Sequence, residues 1–534
     1  MKRVGGKTKR PRADTAPEAA HVRPRRDRYF WALLGILVIG AALRLYAVET
    51  ANFWLDEFWT LELSCGNDTA HEHLPIDRLI FPAPSPTSLA TAKPWWSIWT
   101  SLDQVTHPPL FFLLLRGWRE VLGPGDMAAR LLPCVASVAA IGLLYAAVRR
   151  LRGVRAGVWA ALIMAVAGQQ VFYAQEVRSY SLVVALGLAA AVVLIDIEQR
   201  GAGLGRLTMF GTLVFSLLMT HYFTAGLVAA LLVYALARFP RPVAIRVGVA
   251  TVSAGILFLV VWGPFMLRQR QAMSLQGEGA AAFLLESGSG HVWQTLLRAL
   301  AVPAQAIAPA SFMDPAHLPP PVAWVMVPVF FAPLVFVRRR PDLLFWYLWF
   351  AGVVIPLLLL DLTRSSMHLA YPRYTLLAGP AVFAIAGAGL DALKPSLRFI
   401  PPALALTACG LLLRDSLQQP QSKEEWESVA TAASQMMGVG DPLVVTASPD
   451  QAAIVYLYVS HDLGPVDRPV VILAHPASAS LVEQLRRARH AWVINGWLGP
   501  MPGLIGGAWF EPRAGPRFGE MVWPPAAPKQ ASGL

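Results

Sequence analysis

Two adjacent carboxylates, Asp56 and Glu57, lie inside the aromatic stretch "WLDEFW" (Trp54–Trp59), directly after a long apolar run. A carboxylate within hydrogen-bond reach of a hydroxyl group can act as a general base. Ionisable side chains beside an apolar segment cost free energy, and by default they indicate function. The structural alternative is a cap at the start of an interfacial helix. Because the acid is doubled and flanked by aromatic rings, the pattern favours a functional role for Asp56.

Four further polar motifs border apolar runs: "HPPL" (His107–Leu110), "FYAQEVRSY" (Phe172–Tyr180), "THYF" (Thr220–Phe223) and "HLAYPRY" (His368–Tyr374). Each has an ordinary alternative. An interfacial arginine can reach the lipid headgroups or pair with a nearby acid, and a histidine can sit in a helix-start turn or in a satisfied hydrogen bond. The cationic candidates that they supply are Arg178, Arg373, His107 and His221.

A carboxylate base combined with Arg and His cations suits a reaction whose leaving group is an anionic lipid phosphate. The sequence contains no Gly-rich phosphate loop and no dinucleotide fingerprint. His71, Glu72 and His73 have the residue types of a metal site, but their spacing in a loop indicates one only weakly. We therefore assign no metal ligand from the sequence.

Composition points to a membrane protein. Of 534 residues, 55% are hydrophobic and 15% are charged, where a soluble protein carries about a quarter, and the mean hydropathy is +0.48. The apolar residues form blocks that Arg-rich segments separate, which is typical of a polytopic membrane protein. The net charge of +12 does not indicate nucleic-acid binding, because the basic residues flank the blocks and orient helices.

About eleven spans are predicted: Tyr29–Val48, Ala128–Val148, Ala156–Phe172, Tyr180–Ile197, Leu207–Thr220, Phe223–Ala237, Val247–Pro264, Val322–Val337, Leu343–Leu360, Tyr374–Leu390 and Phe399–Leu413. With the basic tail (1–28) in the cytoplasm, alternate threading keeps the Arg clusters inside. It also places all five polar motifs outside. The segment His107–Gly123 is interrupted by charges, so we expect an amphipathic helix on the outer membrane face. Residues 49–127 then form one large outer loop.

The composition changes after the last span. "EEWESVATAASQMM" predicts an amphipathic helix, whereas "DPLVVTAS", "RPVVILA" and "HAWVINGW" predict short buried strands. Residues 414–534 are therefore expected to form a small α/β domain on the outer side, and residues 29–413 the transmembrane domain.

The motifs "WLDEFWT", "HPPLFFLLL", "FYAQEVRSYSL", "THYF" and "PRYTLLAGPA", in this order, resemble those of the polyprenyl-phosphate-sugar-dependent glycosyltransferases with the GT-C fold. The most similar group is the bacterial glycosyltransferase family 39-like proteins, which include the aminoarabinose transferase of lipid A and the protein O-mannosyltransferases. "KEEWESVATAA" followed by "GDPLVVTAS" is similar to the outer α/β domain of many bacterial members. The resemblance covers nearly the whole chain beyond the basic tail.

The resemblance implies a role for each matching residue. Asp56 matches the aspartate that deprotonates the acceptor hydroxyl, and Glu57 matches its partner acid, which orients the loop or the acceptor. Arg178, His221 and Arg373 would contact the donor phosphate. The remaining matches are expected to contact substrate, and they are His107, Gln175, Glu176, Tyr222 and Tyr374. Val177 departs from the usual "QEAR" motif, which has Ala there, and because metal dependence varies within the fold a divalent metal stays possible.

The resulting prediction is an integral-membrane glycosyltransferase of the cytoplasmic membrane, with its active site facing outside. It would move a sugar from a polyprenyl-phosphate donor to a lipid, glycan or protein acceptor, with inversion by single displacement. A transporter or flippase is the main alternative, but it would favour charges near span midpoints and matching halves. A receptor or scaffold is the second alternative, and it leaves the alignment of five polar motifs unexplained.

Overall fold

The computed structural model describes residues 26–46, 48, 53–276, 290–308, 319–394, 407, 410–411, 414, 426–438, 440–449, 451–463, 468–497, 505 and 508–523. Its α-helices are α1 (Arg26–Leu45), α2 (Leu55–Ser64), α3 (Trp96–Thr100), α4 (Leu110–Leu122), α5 (Asp126–Leu151), α6 (Val154–Val166), α7 (Gly168–Phe172), α8 (Tyr180–Arg200), α9 (Leu204–Leu218), α10 (Thr224–Arg238), α11 (Arg241–Gln276), α12 (His291–Gln305), α13 (Met326–Phe331), α14 (Pro341–Arg364), α15 (Pro372–Thr375), α16 (Gly379–Ala392), α17 (Trp426–Met436), α18 (Ala452–Leu463) and α19 (Ala479–Arg486). The strands are β1 (Leu79–Ile80), β2 (Leu443–Thr446), β3 (Val470–Leu473), β4 (Trp492–Asn495), β5 (Trp509–Ala514) and β6 (Phe518–Val522).

Seven helical segments are long and apolar enough to cross a membrane: Arg28–Leu45, Asp126–Leu151, Tyr180–Arg200, Arg241–Ala272, Pro321–Arg339, Pro341–Arg364 and Pro372–Ala392. Three shorter apolar helices, α6, α9 and α10, lie between them in the chain. These seven and three segments correspond to the first ten predicted spans. The eleventh, Phe399–Leu413, lies almost wholly outside the described residues. The chain is thus a multi-pass membrane protein.

Small residues allow the helices of the bundle to approach closely. A Cβ atom on Gly226 of α10 would collide with the backbone oxygen of Gly352 of α14, and one on Gly387 of α16 would lie 2.7 Å from Ala156 O. In a lipid environment, close backbone approach replaces the hydrophobic effect as a source of helix association. The α10–α14 contact matters for function, because His221 precedes α10 and Arg373 follows α14.

A buried arginine joins three helices near the end of α1. Arg44 has no exposed surface and donates to Ser137 Oγ at 2.7 Å and to Ala165 O at 3.0 Å. These partners belong to α5 and to the last turn of α6. Its charge is therefore satisfied inside the bundle, and α1 is fixed at the end that leads to Asp56.

The amphipathic helix predicted for His107–Gly123 is present as α4. Its inner face is buried through Phe111, Phe112 and Leu115, whereas Val121 and Leu122 are exposed. Leu110 N donates to Met219 O at 3.0 Å, which links the start of α4 to the end of α9. The helix is one side of the site described below.

The C-terminal α/β domain contains a six-stranded sheet in the order β1-β3-β2-β4-β6-β5. The central strands β3, β2 and β4 are parallel and fully buried, as expected for apolar runs rich in Val and Ile. These are the three predicted strands. The edge strand β1 was not predicted, and it comes from the large outer loop, pairing antiparallel with β3. The outer loop and residues 414–534, which we expected to be separate, therefore share one sheet.

Candidate active site

The two acids of "WLDEFW" lie in the first turn of α2, on different faces of the helix. Successive helical residues are rotated by about 100°. Glu57 turns inward and has no exposed surface, whereas the Asp56 side chain keeps 18% of its surface exposed. The adjacent acids therefore have different surroundings and different partners.

Glu57 holds the loops around the site together. Its carboxylate accepts from Val177 N at 2.9 Å and from Trp54 N at 3.3 Å, the latter satisfying the backbone N–H at the N-cap of α2. Arg130 of α5 lies 3.4 Å away through Nε and is itself buried. Removing one partner of such a buried charge pair strongly destabilises a protein, because the other charge is left buried without compensation. Glu57 thus fixes α2 against α5 and against the segment that carries Arg178.

Asp56 faces two guanidinium groups. Its Oδ2 atom lies 3.3 Å from Arg373 NH1 and 3.6 Å from Arg178 NH2. Arg178 also donates to the Asp56 backbone oxygen at 3.2 Å and to Thr60 Oγ1 at 3.0 Å. Residues that are more than a hundred positions apart in the chain are thereby brought to one point.

Two histidines lie beside the charged cluster that Asp56, Arg178 and Arg373 form. Arg178 NH2 lies 3.1 Å from His107 Nε2, and the rings of His107 and His221 are 5.0 Å apart. Burial lowers the pKa of His107 well below its usual value, and the charge of Arg178 lowers it further. Burial and Arg178 together lower the pKa of His221 to about 4. Both imidazoles are therefore neutral at pH 7 and supply no cation here, so a contact of His221 with a donor phosphate, which stays a prediction, would be a neutral hydrogen bond.

Arg373 lies among aromatic rings. Its guanidinium carbon is 5.2 Å from the ring centres of Tyr371 and Tyr374 and 5.8 Å from that of Trp54. Cation–π contacts orient an arginine without neutralising it. Tyr374, which we predicted to contact substrate, also lines a cavity of about 30 Å³ with His221 and Arg373. A volume of this size holds a water molecule or a phosphate oxygen.

The other predicted substrate residues have partners elsewhere. Gln175 donates to Tyr46 O at 2.8 Å and to Arg44 O at 3.2 Å, which caps the end of α1. The Tyr222 hydroxyl donates to Gln269 at 2.5 Å and accepts from Trp262 at 2.9 Å, both on α11. Glu176 is buried. A substrate role for these three residues stays a prediction.

The sequence interpretation missed Thr60, Trp54 and Tyr371 as residues of this site. Thr60 donates to Asp56 O at 2.7 Å and accepts from Arg178. Thr60 lies four residues after Asp56, and residues four apart are neighbours on a helix surface. This spacing could have indicated that Thr60 belongs to the site. Trp54 and Tyr371 are adjacent to recognised motifs, but only the folded chain stacks them on Arg373.

Two features of the sequence had raised a metal site, namely the triplet His71-Glu72-His73 and the resemblance to a fold with variable metal dependence. The described residues support neither. Within the described ranges, no group of three or more His, Cys, Asp and Glu side chains is arranged to hold a metal ion. His71 is buried, with Nδ1 2.7 Å from Glu62 Oε2 and Nε2 accepting from Trp59. Asp56 is flanked by two guanidinium groups, which repel a divalent cation. The residues around Asp56 thus fit an anion better than a metal.

Comparison with known proteins identifies the fold. Residues 106–267, which contain His107, Arg178 and His221, match the family model described as dolichyl-phosphate-mannose-protein mannosyltransferase. ArnT from Cupriavidus metallidurans, bound to undecaprenyl phosphate, superposes with a TM-score of 0.56 at 15% identity. The alignment covers 92% of this chain and 98% of ArnT. The chain has the GT-C fold.

A second solved structure supports the same fold. The oligosaccharyltransferase of Archaeoglobus fulgidus, in its apo form, superposes with a TM-score of 0.51 at 12% identity, covering 89% of this chain and 70% of the other. No curated protein sequence matches the chain. The predicted GT-C fold is confirmed, and residues 106–267 are similar to the dolichyl-phosphate-mannose-protein mannosyltransferase family. Activity does not follow from fold at these identities, so it must be argued from the site.

Proposed function

We propose that this protein is a membrane glycosyltransferase that transfers a sugar from a polyprenyl-phosphate donor to a hydroxyl-bearing lipid, glycan or protein acceptor. The site would face the outer side of the cytoplasmic membrane. One observation carries the proposal, namely the contact of Asp56 Oδ2 with both Arg178 and Arg373 at 3.6 and 3.3 Å. A base and two fixed phosphate-binding groups thereby occupy one point.

The charge of the cluster fits the donor. Two guanidinium groups and one carboxylate, beside two neutral histidines, leave one net positive charge. A sugar phosphodiester carries one negative charge, and the phosphate monoester that leaves acquires a second. Planar guanidinium groups bind phosphate oxygens through paired hydrogen bonds, so Arg178 and Arg373 suit this task. The match favours a phosphate leaving group over a neutral one.

The ion pairs around Asp56 explain how the base is released. In the described state, Asp56 is paired with both arginines. A donor phosphate would compete for the same guanidinium groups, and its binding would leave Asp56 free to accept a proton.

The reaction is then a single displacement. Asp56 accepts the proton of the acceptor hydroxyl, and the acceptor oxygen attacks the anomeric carbon. The bond between that carbon and the phosphate oxygen breaks, and the electron pair leaves with the polyprenyl phosphate. Arg178 and Arg373 stabilise the added charge in a site partly shielded from water. One displacement inverts the configuration at the anomeric carbon.

The comparisons support the lipid carrier. The related ArnT structure contains undecaprenyl phosphate, and the matching family model is described by a dolichyl-phosphate sugar donor. Polyprenyl phosphates share a phosphate on a long apolar chain, which suits a charged cluster at the end of a transmembrane bundle. Orientation rests on the excess of basic residues in the loops at the opposite end.

Purified protein in lipid nanodiscs, supplied with polyprenyl-phosphate sugars and candidate acceptors, tests the activity. We expect free polyprenyl phosphate to accumulate in step with a mass increase of one acceptor. A flippase would instead move the intact donor across a vesicle membrane with no cleavage. Cleavage-free transport by the wild-type protein would refute the proposed function.

The orientation has its own test. In a variant without native cysteines, we expect a cysteine at Ala90, an exposed residue of the outer loop, to react with an impermeant thiol reagent from outside. A cysteine at Gly153 should react only after permeabilisation. The reverse pattern would contradict an outward-facing site.

A further inference from the structure

His461 connects the C-terminal α/β domain to two separate parts of the transmembrane domain. It lies on α18, and its Nε2 atom is 2.9 Å from Asp126 Oδ1 at the start of α5. Its Nδ1 atom is 2.9 Å from Thr87 Oγ1 in the outer loop. Because a carboxylate only accepts, the neutral imidazole donates from Nε2 and accepts from Thr87. Both ring nitrogens are thus used to join elements that are distant in sequence.

The same imidazole packs on the aromatic residues that bracket the acids. Its ring centre is 5.5 Å from that of Phe53 and 5.1 Å from that of Phe58. Tyr458, three residues earlier on the same face of α18, contacts Phe58 edge-to-face at 4.6 Å. Phe53 and Phe58 flank Asp56 in the chain, so α18 covers the start of the helix that carries the proposed base.

The Phe53 ring contacts both His461 and a buried arginine. The guanidinium carbon of Arg130 is 4.3 Å from the Phe53 ring centre, and Arg130 also binds Glu57. Asp126, the partner of His461, lies one helical turn before Arg130 on α5. His461 and Arg130 therefore both hold residues 53–58 through contacts with the same ring.

The α/β domain is itself attached firmly enough to serve as a support. Strand β1 of the outer loop pairs with β3, and the Asp77 carboxylate accepts from Ala474 N at 2.8 Å and His475 N at 3.0 Å. The Tyr456 hydroxyl donates to Pro84 O at 2.5 Å. With these contacts, movement of α18 is coupled to the outer loop and to α2.

We propose that His461 is a positioning residue: the C-terminal domain uses it to hold the start of α2 so that Asp56 reaches the acceptor. The inference rests on the proposed function, since it assigns the domain a task in that reaction. His461 contacts neither Asp56 nor the arginines in the structure. It acts through Phe53, Phe58 and Asp126.

Three substitutions distinguish the ring contacts of His461 from its hydrogen bonds. His461→Ala removes the ring and both hydrogen bonds, His461→Phe keeps a ring on Phe58, and His461→Gln keeps a donor near Asp126. Misplacement of a reacting group by about 1 Å can cost about 10²-fold in rate. We expect His461→Ala to lower kcat by about tenfold or more with unchanged donor affinity, and His461→Phe and His461→Gln to recover part of it.

The control variant is His490→Ala, which removes another histidine–carboxylate contact of the same domain (Nδ1 2.7 Å from Glu520), far along the chain from α2. It should leave kcat unchanged. The decisive readout is a double variant with Asp56→Asn. If His461 acts through the base, His461→Ala should cost little further activity in that background. An equal loss in both backgrounds, or wild-type kcat in His461→Ala, would overturn the proposal.

A readout independent of activity keeps the two proposals distinguishable. Hydrogen exchange of peptides that cover residues 53–64 should accelerate in His461→Ala and stay unchanged in His490→Ala. If wild-type protein transfers no sugar, the proposed function fails, whereas the exchange result still decides whether His461 holds α2. Unchanged hydrogen exchange of residues 53–64 in His461→Ala would by itself refute the positioning role.

Discussion

The two ends of the helix bundle use the same residue types in opposite ways. At the end that holds Asp56, Arg178 is buried and makes several contacts, and the Arg373 side chain is only 13% exposed. At the opposite end, Arg155 pairs with Asp391 at 2.8 Å, and Arg200 pairs with Asp196 at 3.2 Å. These two arginine side chains are 42% and 67% exposed.

The difference separates charges that orient the protein from charges that act. Exposed ion pairs contribute about 0–1 kcal/mol each, so those at the opposite end mainly set which side of the membrane they occupy. Buried charges cost several kcal/mol to desolvate, and they persist where function or a complete network retains them. Substitutions at the two ends should therefore differ sharply in their effects.

Replacement of the proposed base should have the largest effect. Asp56→Asn keeps the side-chain shape and removes its basicity, so we expect transfer to fall by about 10²-fold or more. Donor binding should persist, because Arg178 and Arg373 remain. Initial rates of acceptor mass increase and equilibrium donor binding would measure both. Transfer at the wild-type rate would exclude Asp56 as the base.

Glu57→Gln is the matched control for Asp56→Asn, because it neutralises the neighbouring acid of the same helix. We expect a smaller loss of transfer per folded molecule, since Glu57 holds the loops rather than the acceptor. Stability should fall by about 3–5 kcal/mol, because the buried Arg130 loses its charge partner. If Glu57→Gln abolished transfer in stable protein, the roles of the two acids would need to be exchanged.

Lysine replacements at the phosphate-binding arginines should have the next largest effect. Arg178→Lys and Arg373→Lys keep the charge but lose the planar fork of donors. Hydrogen bonds to charged groups contribute about 1.5–3 kcal/mol, so donor affinity should fall by about tenfold or more. We expect the larger loss for Arg178, which also binds Thr60 and His107. Donor titration measures the effect, and unchanged affinity in both variants would contradict the assignment.

The neutral histidines predict a moderate effect of acid on stability. The pKa of His221 is lowered from 6.5 to about 4, so between these values the unfolded chain binds more protons than the folded one. Stability should therefore fall as the pH drops from about 6.5 towards 4. His221→Gln should reduce the difference between the unfolding temperatures at pH 7.5 and pH 5. Equal differences in the variant and the wild type would argue against a buried, neutral His221.

The smallest effect is expected at the opposite end of the bundle. Arg155→Gln breaks the contact with Asp391, yet stability should change by no more than about 1 kcal/mol and transfer should stay at the wild-type rate. Thermal unfolding and the transfer assay provide the measurements. A loss of transfer comparable with that of Arg178→Lys would remove the distinction between the two ends.

Local sequence was sufficient for much of the architecture. Apolar length predicted the seven described segments that are long enough to cross a membrane and the three shorter apolar helices, and charge interruptions separated α4 from them. Runs of Val and Ile predicted β2, β3 and β4. These properties depend on neighbours within about twenty residues, which is why composition and period can identify them.

Long-range contacts escaped that reasoning. The sequence offered no indication that residues 79–80 would pair with β3, because a two-residue edge strand has no periodicity of its own. It also gave no indication that the pKa values of His107 and His221 would be lowered further, since the cause is burial beside Arg178, which is 71 residues from His107 in the chain. Arg44 and Arg130 passed unnoticed for the same reason, as their partners come from other helices.

The sequence by itself determined which residue types stand at the ends of the apolar runs, and these include an acid pair, two arginines and three histidines in five short motifs. Only the tertiary structure decided their tasks. Helix phase turned Glu57 inward to Val177 N and Arg130, and left Asp56 facing Arg178 and Arg373. The physical reason is that charge, protonation and reach depend on which surfaces exclude water. That exclusion is a property of packed helices, not of the order of residues along one of them.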